Sequence, residues 1–240
     1  MLIISGAIFI AATAAVLHYK WDPIVAVVDQ TLAGPKTTEQ RVQQYAADVT
    51  TRLKPNFEKA GVAYPPANLT FVVLKEEERL EVYAADTKSD TCHFVRSYPI
   101  LAASGHAGPK LREGDWQVPE GIYSVESLNP NSHYHLALHV GYPNAFDREK
   151  ARTDGRRQLG GDIMIHGSDV SIGCVAMGDP AAEDLFVLAA QVGTKNVRLL
   201  FCPWDFRLTR KNPPTDAPVW TPELYTGLER ELKKLPPPSP

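Results

Sequence analysis

Short apolar runs separated by turn residues occupy the middle of this chain and predict β-strands. Residues 69–74 and 79–84 flank the charged segment 75–78, an arrangement typical of a hairpin. Further apolar runs over 92–98, 162–165 and 197–201 predict more strands. Several short strands with turns between them indicate a mainly β domain with flanking helices (an α+β fold), sandwich-like or barrel-like in architecture.

Three other segments have the spacing of amphipathic helices. The first follows a cap at Thr37 or Thr38 and carries apolar residues at helical intervals over 42–53. The second begins at Asp179, a suitable N-cap, and has Pro180 at its first helical position. The third lies over 223–235, just before a proline-rich tail. These segments are the predicted flanking helices.

The two ends of the chain differ in composition from its middle. Residues 1–17 are almost uninterruptedly apolar, so 1–20 is predicted as an N-terminal membrane anchor or a cleaved signal segment. We expect a linker and a helix over 21–66, the β domain over 67–207, and a proline-rich C-terminal extension with a short helix over 208–240. Within the β domain, the basic segment 147–161 reads either as a flexible lid or as a solvated loop.

Charge and cysteine content narrow the class of protein. The 240 residues carry a formal net charge of −3, and no basic field indicates a nucleic-acid partner. Three cysteines, Cys92, Cys174 and Cys202, leave at least one thiol unpaired within the chain. A Cys92–Cys202 disulfide and two buried thiols both remain open at this stage. No Cys/His spacing for zinc is present, and we expect no cofactor.

Three histidines between residues 133 and 140 require separate weighing. In an extended strand, His133, His135 and His139 would share one face. Histidines two positions apart can bind zinc, but no acidic or cysteine ligand has an evident place beside them. The sequence therefore favours a face that borders a substrate cleft or water, and no metal.

The candidate chemistry is concentrated in residues 160–179. His166 follows a predicted strand, at a position where catalytic side chains are often displayed. Cys174 follows the turn-like residues Ser171, Ile172 and Gly173, and the backbone N–H groups of Ile172, Gly173 and Cys174 are candidate donors to an oxyanion. A cysteine nucleophile needs a base and such donors. We therefore assign Cys174 as candidate nucleophile and His166 as candidate base; the alternative is a structural histidine and a buried thiol.

The same segment resembles the signature of the L,D-transpeptidase (YkuD-type) family of bacterial cell-wall enzymes, in a form similar to its YafK-like branch. The residues that match are His166, Gly167, Ser171, Gly173, Cys174 and Val175. Two positions depart from the signature, with Ile172 in place of the usual second histidine and Ala176 in place of the usual arginine. The resemblance covers roughly residues 67–207.

The resemblance implies an L,D-transpeptidase-like catalytic domain that acts on murein stem peptides through a cysteine thioester. Gly167 would orient the histidine through its carbonyl, and Ser171 would support the loop with Ile172 and Gly173. The segment after the histidine-containing strand would line the active site. We therefore expect substrate contacts from Tyr142 and Asn144, with His139 on the strand before them; plain turn chemistry is the alternative for the first two.

The resemblance also implies a location and partners. The domain would lie at the periplasmic face of the bacterial inner membrane, or in the periplasm if the N-terminal segment is cleaved. Its partners would be peptidoglycan stem peptides and the membrane, with a wall-linked protein as a further candidate.

Other functions stay open beside the transpeptidase. Because Ala176 removes a usual arginine, a murein amidase or L,D-carboxypeptidase-type hydrolase of the same fold is an alternative. A non-catalytic wall-binding module is another, and a thiol pKa well below about 8.5 would favour catalysis over it. A cysteine protease acting on proteins shares the same pair of residues, but the resemblance to enzymes of stem peptides disfavours it.

Overall fold

The computed structural model describes residues 34–87, 91–209 and 211–238. In this part of the chain the β-strands are β1 (Asn68–Leu74), β2 (Arg79–Ala85), β3 (His93–Pro99), β4 (Ala102–Ala103), β5 (Gly121–Ser132), β6 (His135–Val140), β7 (Met164–His166), β8 (Val175–Ala176) and β9 (Val197–Cys202). The α-helices are α1 (Thr38–Ala60), α2 (Ala145–Thr153), α3 (Asp179–Val192) and α4 (Thr221–Leu232). A 3₁₀ turn over Thr194–Asn196 precedes β9.

The nine strands form one sheet in the order β3-β2-β1-β9-β5-β6-β7-β8-β4. β1 and β9 are parallel, as are β7 and β8, whereas the other neighbours are antiparallel. We call β1, β2, β3, β5 and β9 the long-strand region, and β4, β7 and β8 the short-strand region; β6 joins the two. The predicted fold class, mainly β with flanking helices, is confirmed as a half-barrel sheet with helices packed on it.

Helices α1 and α3 pack together on one face of the sheet. α1 begins with a capping box between Thr37 and Gln40 and ends at Gly61, whose φ of 70° is favourable only for glycine and a few polar residues. The core on this face combines both helices with alternate positions of β1, and includes Val49, Leu53, Phe57, Phe71, Val73, Leu185 and Phe186. α1 is therefore an integral part of the fold.

Helix α4 covers the opposite face. Successive side chains alternate along a strand, so Val72 and Leu74 of β1 point to this side. They belong to a second core with Trp204, Phe206, Trp220, Tyr225, Leu228 and Leu232. β1 is thus buried on both faces, which explains why its sequence is a continuous apolar run.

Three local predictions differ from the structure. The segment 147–161, read as either a flexible lid or a solvated loop, begins inside helix α2, which spans Ala145–Thr153. The strand predicted over 162–165 is instead Met164–His166, because Asp162 has a φ of 54°, outside the extended region. His133 lies in the turn between β5 and β6, so the three histidines do not share one strand face.

The predicted anchor or signal over 1–20 and the first part of the predicted linker lie outside the described residues. Within residues 34–87, 91–209 and 211–238, no helix combines the length and apolar character needed to cross a membrane. The predicted domain limits at 66/67 and 207/208 remain predictions.

The three cysteines are free thiols. Cys202 is paired with Leu74 at one end of β1, whereas the Cys92 thiol is hydrogen-bonded to Thr70 near the other end. Four residues of extended strand separate these two positions by about 13 Å. That separation exceeds the span of a disulfide, so the Cys92–Cys202 bridge does not form in this structure.

Candidate active site

His166 is the last residue of β7 and lies between β6 and β8, with only 1% of its surface exposed. Its Nδ1 lies 2.6 Å from the carbonyl oxygen of Gly167. Because a carbonyl oxygen can only accept a hydrogen bond, Nδ1 carries the hydrogen and Nε2 keeps a free lone pair. This is the tautomer that a general base acting through Nε2 requires, and the contact matches the role implied for Gly167.

Cys174 directly precedes β8, which is the parallel neighbour of β7, the strand that ends at His166. Their register pairs Ile165 with Val175 and His166 with Ala176. Since side chains alternate along a strand, Cys174 projects to the same face as Ala176 and its partner His166. Adjacent strands are about 4.8 Å apart. The register therefore places the candidate nucleophile diagonally across from the candidate base, on the same face of the sheet.

The surroundings of His166 and Cys174 favour the neutral form of each side chain. Burial lowers the pKa of His166 below its ordinary value of 6.5, and the Gly167 hydrogen bond offsets part of this effect. Burial raises the pKa of the Cys174 thiol above its ordinary value of 9.0, and a backbone hydrogen bond from Met164 opposes that rise. Both shifts disfavour an imidazolium–thiolate pair before substrate arrives. Reaction here requires proton transfer from Sγ to Nε2 during attack.

Two serine hydroxyls accept hydrogen bonds from backbone N–H groups that the sequence predicts as donors to an oxyanion. The Gly173 N–H donates to Ser104 Oγ at 2.5 Å, and the Cys174 N–H donates to Ser171 Oγ at 3.1 Å. Ser171 donates its own hydroxyl hydrogen to the Cys174 carbonyl at 2.6 Å. Ser171 therefore closes a local turn around the cysteine, which is consistent with the loop support predicted for it.

The two positions that depart from the family signature have opposite surroundings. The Ile172 side chain is 72% exposed, beside the equally apolar and exposed Val170. Ala176 is fully buried and lies in β8 between His166 of β7 and Ala102 of β4. Neither position places a charge beside the thiol.

Sequence reasoning misses three residues of this site. The ring of Tyr134 stacks on the His166 imidazole with centroids 4.7 Å apart and covers it from solvent. Buried Lys110, paired with Asp115, is near enough to the thiol to favour its ionised form. Ser104 is the acceptor for Gly173 described above. None of these lies in the 160–179 segment, and each reaches the site only through the strand order.

Gly167 occupies a position where no other residue fits. A Cβ atom there would lie 2.5 Å from Asp179 Oδ1 and 2.8 Å from the carbonyl oxygen of Tyr134. Because Asp179 also accepts from the Ser168 N–H at 2.8 Å, it cannot move away freely. The His-Gly pair is therefore a packing requirement as well as a source of the carbonyl that holds His166.

Two of the three predicted substrate contacts have roles inside the fold. Tyr142 is 5% exposed, and its hydroxyl donates to main-chain carbonyls. Asn144 caps helix α2 in a capping box with Asp147. His139 is paired with Met164 and is partly exposed on the same side of the sheet as the candidate base. The substrate contacts remain predictions, and of the three only His139 is shown on the face of the sheet that carries His166.

Comparison with known proteins identifies the family. The sequence profile of the L,D-transpeptidase catalytic domain YkuD matches residues 69–198, more than half of the 240-residue chain. The chain belongs to the YkuD L,D-transpeptidase family. The matched region includes β1 to β8 and every residue placed at the candidate site, from Ser104 to Cys174. The family predicted from the His-Gly and Ser-Ile-Gly-Cys residues is thereby confirmed.

The match between this YkuD chain and its individual relatives covers only part of each relative's length. Two curated proteins named "Putative L,D-transpeptidase YafK", from Escherichia coli K12 and O157:H7, are each 39% identical over 145 residues, or 58% of this chain. The chain spans 55% of each, about half the length of the curated relatives it matches.

Solved structures with a similar fold give weaker matches. The helical cell shape determining protein Pgp2 from Campylobacter jejuni has a TM-score of 0.44 and 25% identity, covering 62% of this chain and 50% of that one. Bd1075 of Bdellovibrio bacteriovorus has a TM-score of 0.42 and 18% identity, covering 72% and 56%.

Proposed function

We propose that this chain is a cell-wall-modifying cysteine enzyme, an L,D-transpeptidase that acts on murein stem peptides through a Cys174 thioester. The observation that carries the proposal is the placement of His166 at the end of β7 and of Cys174 directly before the adjacent parallel strand β8, within a YkuD domain. The Gly167 carbonyl fixes the imidazole so that Nε2 is free to accept a proton.

The reaction begins from the neutral pair. As Sγ of Cys174 attacks the amide carbonyl of the stem peptide, its proton passes to Nε2 of His166. The oxyanion then collapses, the C–N bond breaks, and the imidazolium returns the proton to the leaving amine. An acceptor amine next attacks the thioester, and Nε2 of His166 takes a proton from that amine. The C–S bond then breaks, His166 returns the proton to Sγ of Cys174, and the new amide bond is the cross-link. Each step uses groups of the protein and the two substrates.

This substrate places the enzyme on the outer side of the cytoplasmic membrane. Murein stem peptides are cross-linked in the periplasm, so we propose a periplasmic location for the domain, either anchored to the inner membrane or free. A wall-linked protein in place of the second stem peptide would use the same thioester.

Mass spectrometry of a purified disaccharide-tetrapeptide incubated with the full chain tests this proposal. We expect a cross-linked dimer, or exchange of the terminal D-residue for an added D-amino acid. Cys174→Ala should abolish both products and keep the fold. Cys92→Ala, which removes a half-buried thiol in the long-strand region, should leave both intact. Equal product from wild type and Cys174→Ala would disprove the nucleophile assignment.

A hydrolase is the second candidate, because of one observation. Position 176, where the family signature has an arginine, is a fully buried alanine that offers no charge to an acceptor or to a carboxylate. Loss of the terminal D-residue to water, without exchange or dimer, would identify an amidase or L,D-carboxypeptidase that uses the same thioester.

The raised pKa of the Cys174 thiol favours a third candidate, the non-catalytic wall-binding module. In that case sedimented murein sacculi would retain wild type and Cys174→Ala equally, and neither protein would change the muropeptide masses. Turnover that requires Cys174 would exclude this candidate.

A further inference from the structure

Ser104 follows β4 directly and flanks the candidate nucleophile on the side opposite β7. β4 and β8 are antiparallel, with Ala103 opposite Val175. Continuing this register by one residue places Ser104 opposite Cys174. Directly opposite residues project to the same face, with Cβ atoms about 5 Å apart. Cys174 thus has a neighbouring strand on each side, with Ser104 directly opposite it on one and His166 two residues further along on the other.

The two serines that contact the oxyanion donors differ in how their hydroxyl hydrogens are used. Ser171 accepts from the Cys174 N–H and donates to the Cys174 carbonyl, so its hydroxyl is fully engaged. Ser104 accepts from the Gly173 N–H, but within the described part of the chain no acceptor receives its hydrogen. A hydroxyl can both accept and donate. Ser104 is therefore the serine with a donor left for a substrate.

The surroundings of Ser104 hold it in place before substrate arrives. Its carbonyl accepts from the Val118 N–H at 3.4 Å, and β4 is paired with β8 on the other side. The adjoining loop is tied together by the Gln117 side chain, which donates to the carbonyls of His106 and Gly108. Donors that are fixed in advance stabilise a developing charge without a reorganisation cost.

We propose that the Ser104 hydroxyl is a catalytic hydrogen-bond donor. It accepts from the Gly173 N–H and donates its own hydrogen to the oxyanion that forms when Cys174 attacks a carbonyl. The inference rests on the proposed function only in taking Cys174 as the nucleophile. As the S–C bond forms, the carbonyl π electrons move to oxygen, and the Ser104 O–H donates to that oxygen. No proton leaves the serine, and the electron pair returns to the carbonyl when the leaving group departs.

The test compares two reactions of the same thiol in the full chain. Acylation by p-nitrophenyl acetate passes through an oxyanion, whereas alkylation by iodoacetamide does not. We expect Ser104→Ala to slow acylation about a hundredfold, the effect of removing one oxyanion donor, and to leave alkylation within about twofold. Cys174→Ala supplies the background rate. Ser168→Ala, whose hydroxyl contacts only Asp169, is the matched control and should match wild type in both reactions.

Two isosteric variants make the test independent of packing. Ser104→Thr keeps a hydroxyl and should retain most of the acylation rate. Ser104→Val has the shape of threonine without the hydroxyl, and its acylation rate should fall as in Ser104→Ala. Thr and Val variants that acylate equally would overturn the proposal. Acylation and alkylation that fall together in Ser104→Ala would also overturn it, because Ser104 would then act by positioning the thiol.

The same experiment separates this inference from the proposed function. A hydroxyl-dependent acylation rate, together with no turnover of stem peptides, would reject the substrate and retain Ser104 as donor. Turnover of stem peptides with an unaffected Ser104→Val variant would reject Ser104 and retain the enzyme. Wild type that acylates no faster than Cys174→Ala would reject both.

Discussion

The long-strand and short-strand regions belong to one hydrogen-bonded sheet but have different surroundings. β1 and β2 each bury six of their seven residues, and apolar cores cover both faces of β1. β4, β7 and β8 contain two or three residues each, and the chain beside them takes positive φ at Asp162, Ser168 and Gly173. The comparison indicates that the long strands supply stability, while strand ends in the short-strand region present the reactive side chains.

The largest expected effect is on activity alone, at His166. His166→Gln removes the base, and we expect turnover of stem peptides to fall about a thousandfold. The melting temperature should change little, because glutamine can still donate to the Gly167 carbonyl. Activity assays and thermal unfolding measure the two effects. His93→Gln, an exposed histidine at the start of β3, is the control and should alter neither. Full activity in His166→Gln would contradict the assignment.

A truncation in the long-strand region should give the reverse pattern. Phe71 is fully buried in β1, so Phe71→Ala should lower the free energy of unfolding by about 3–5 kcal/mol. The alkylation rate of Cys174 in the folded fraction should stay near that of wild type. Urea unfolding and iodoacetamide kinetics check the two parts, with Phe71→Leu as the milder control. A change in thiol reactivity at low urea would show that the two regions are coupled.

Gly167 sharpens the comparison, because a substitution there should change both the packing and the activity of the short-strand region. We expect Gly167→Ala to cost about 1–3 kcal/mol of stability, since its methyl group would overlap Asp179 and the Tyr134 carbonyl. Activity should fall as well, because the carbonyl that holds His166 moves. The matched control is Gly161→Ala, where nothing lies within 4 Å of the added Cβ. Equal melting temperatures for both variants would refute this account.

The smallest expected effect is a shift in pH dependence. Only neutral His166 can accept the thiol proton, and its pKa is lowered from 6.5, so activity should persist below pH 6.5 and then fall about tenfold per pH unit. Tyr134→Ala exposes the imidazole and should raise that pKa, which moves the acidic limb to higher pH. A pH–rate profile of kcat/KM measures the shift, and an unchanged limb would show that stacking does not set the burial of His166.

The strands that carry strong apolar patterns were predictable from sequence, and those at the site were less so. β1, β2 and β9 read directly from their apolar runs, and the His-Gly and Gly-Cys residues located the candidate base and nucleophile. β4 is only Ala102–Ala103 and carries no pattern, yet its pairing with β8 brings Ser104 to Gly173 across a sequence separation of 69 residues. Contacts of that kind depend on strand order, which local periodicity does not encode.

Tyr142 and Asn144 illustrate the opposite difficulty. Their position just after β6 suits a substrate contact, but one side chain is buried and the other caps α2. Polar residues beside an active site also hold the loops that form it, and the sequence alone does not separate these two roles.

The placement of β9 has a consequence for biosynthesis. Of the described strands, β9 is the last to leave the ribosome, yet it lies between β1 and β5 and is the only one of them that links these two. Until residues 197–202 emerge, the nascent chain holds two separate sets of strands, each with an unpaired edge. A chain terminated before this segment would therefore contain the complete His166–Cys174 segment but lack the strand that closes the sheet.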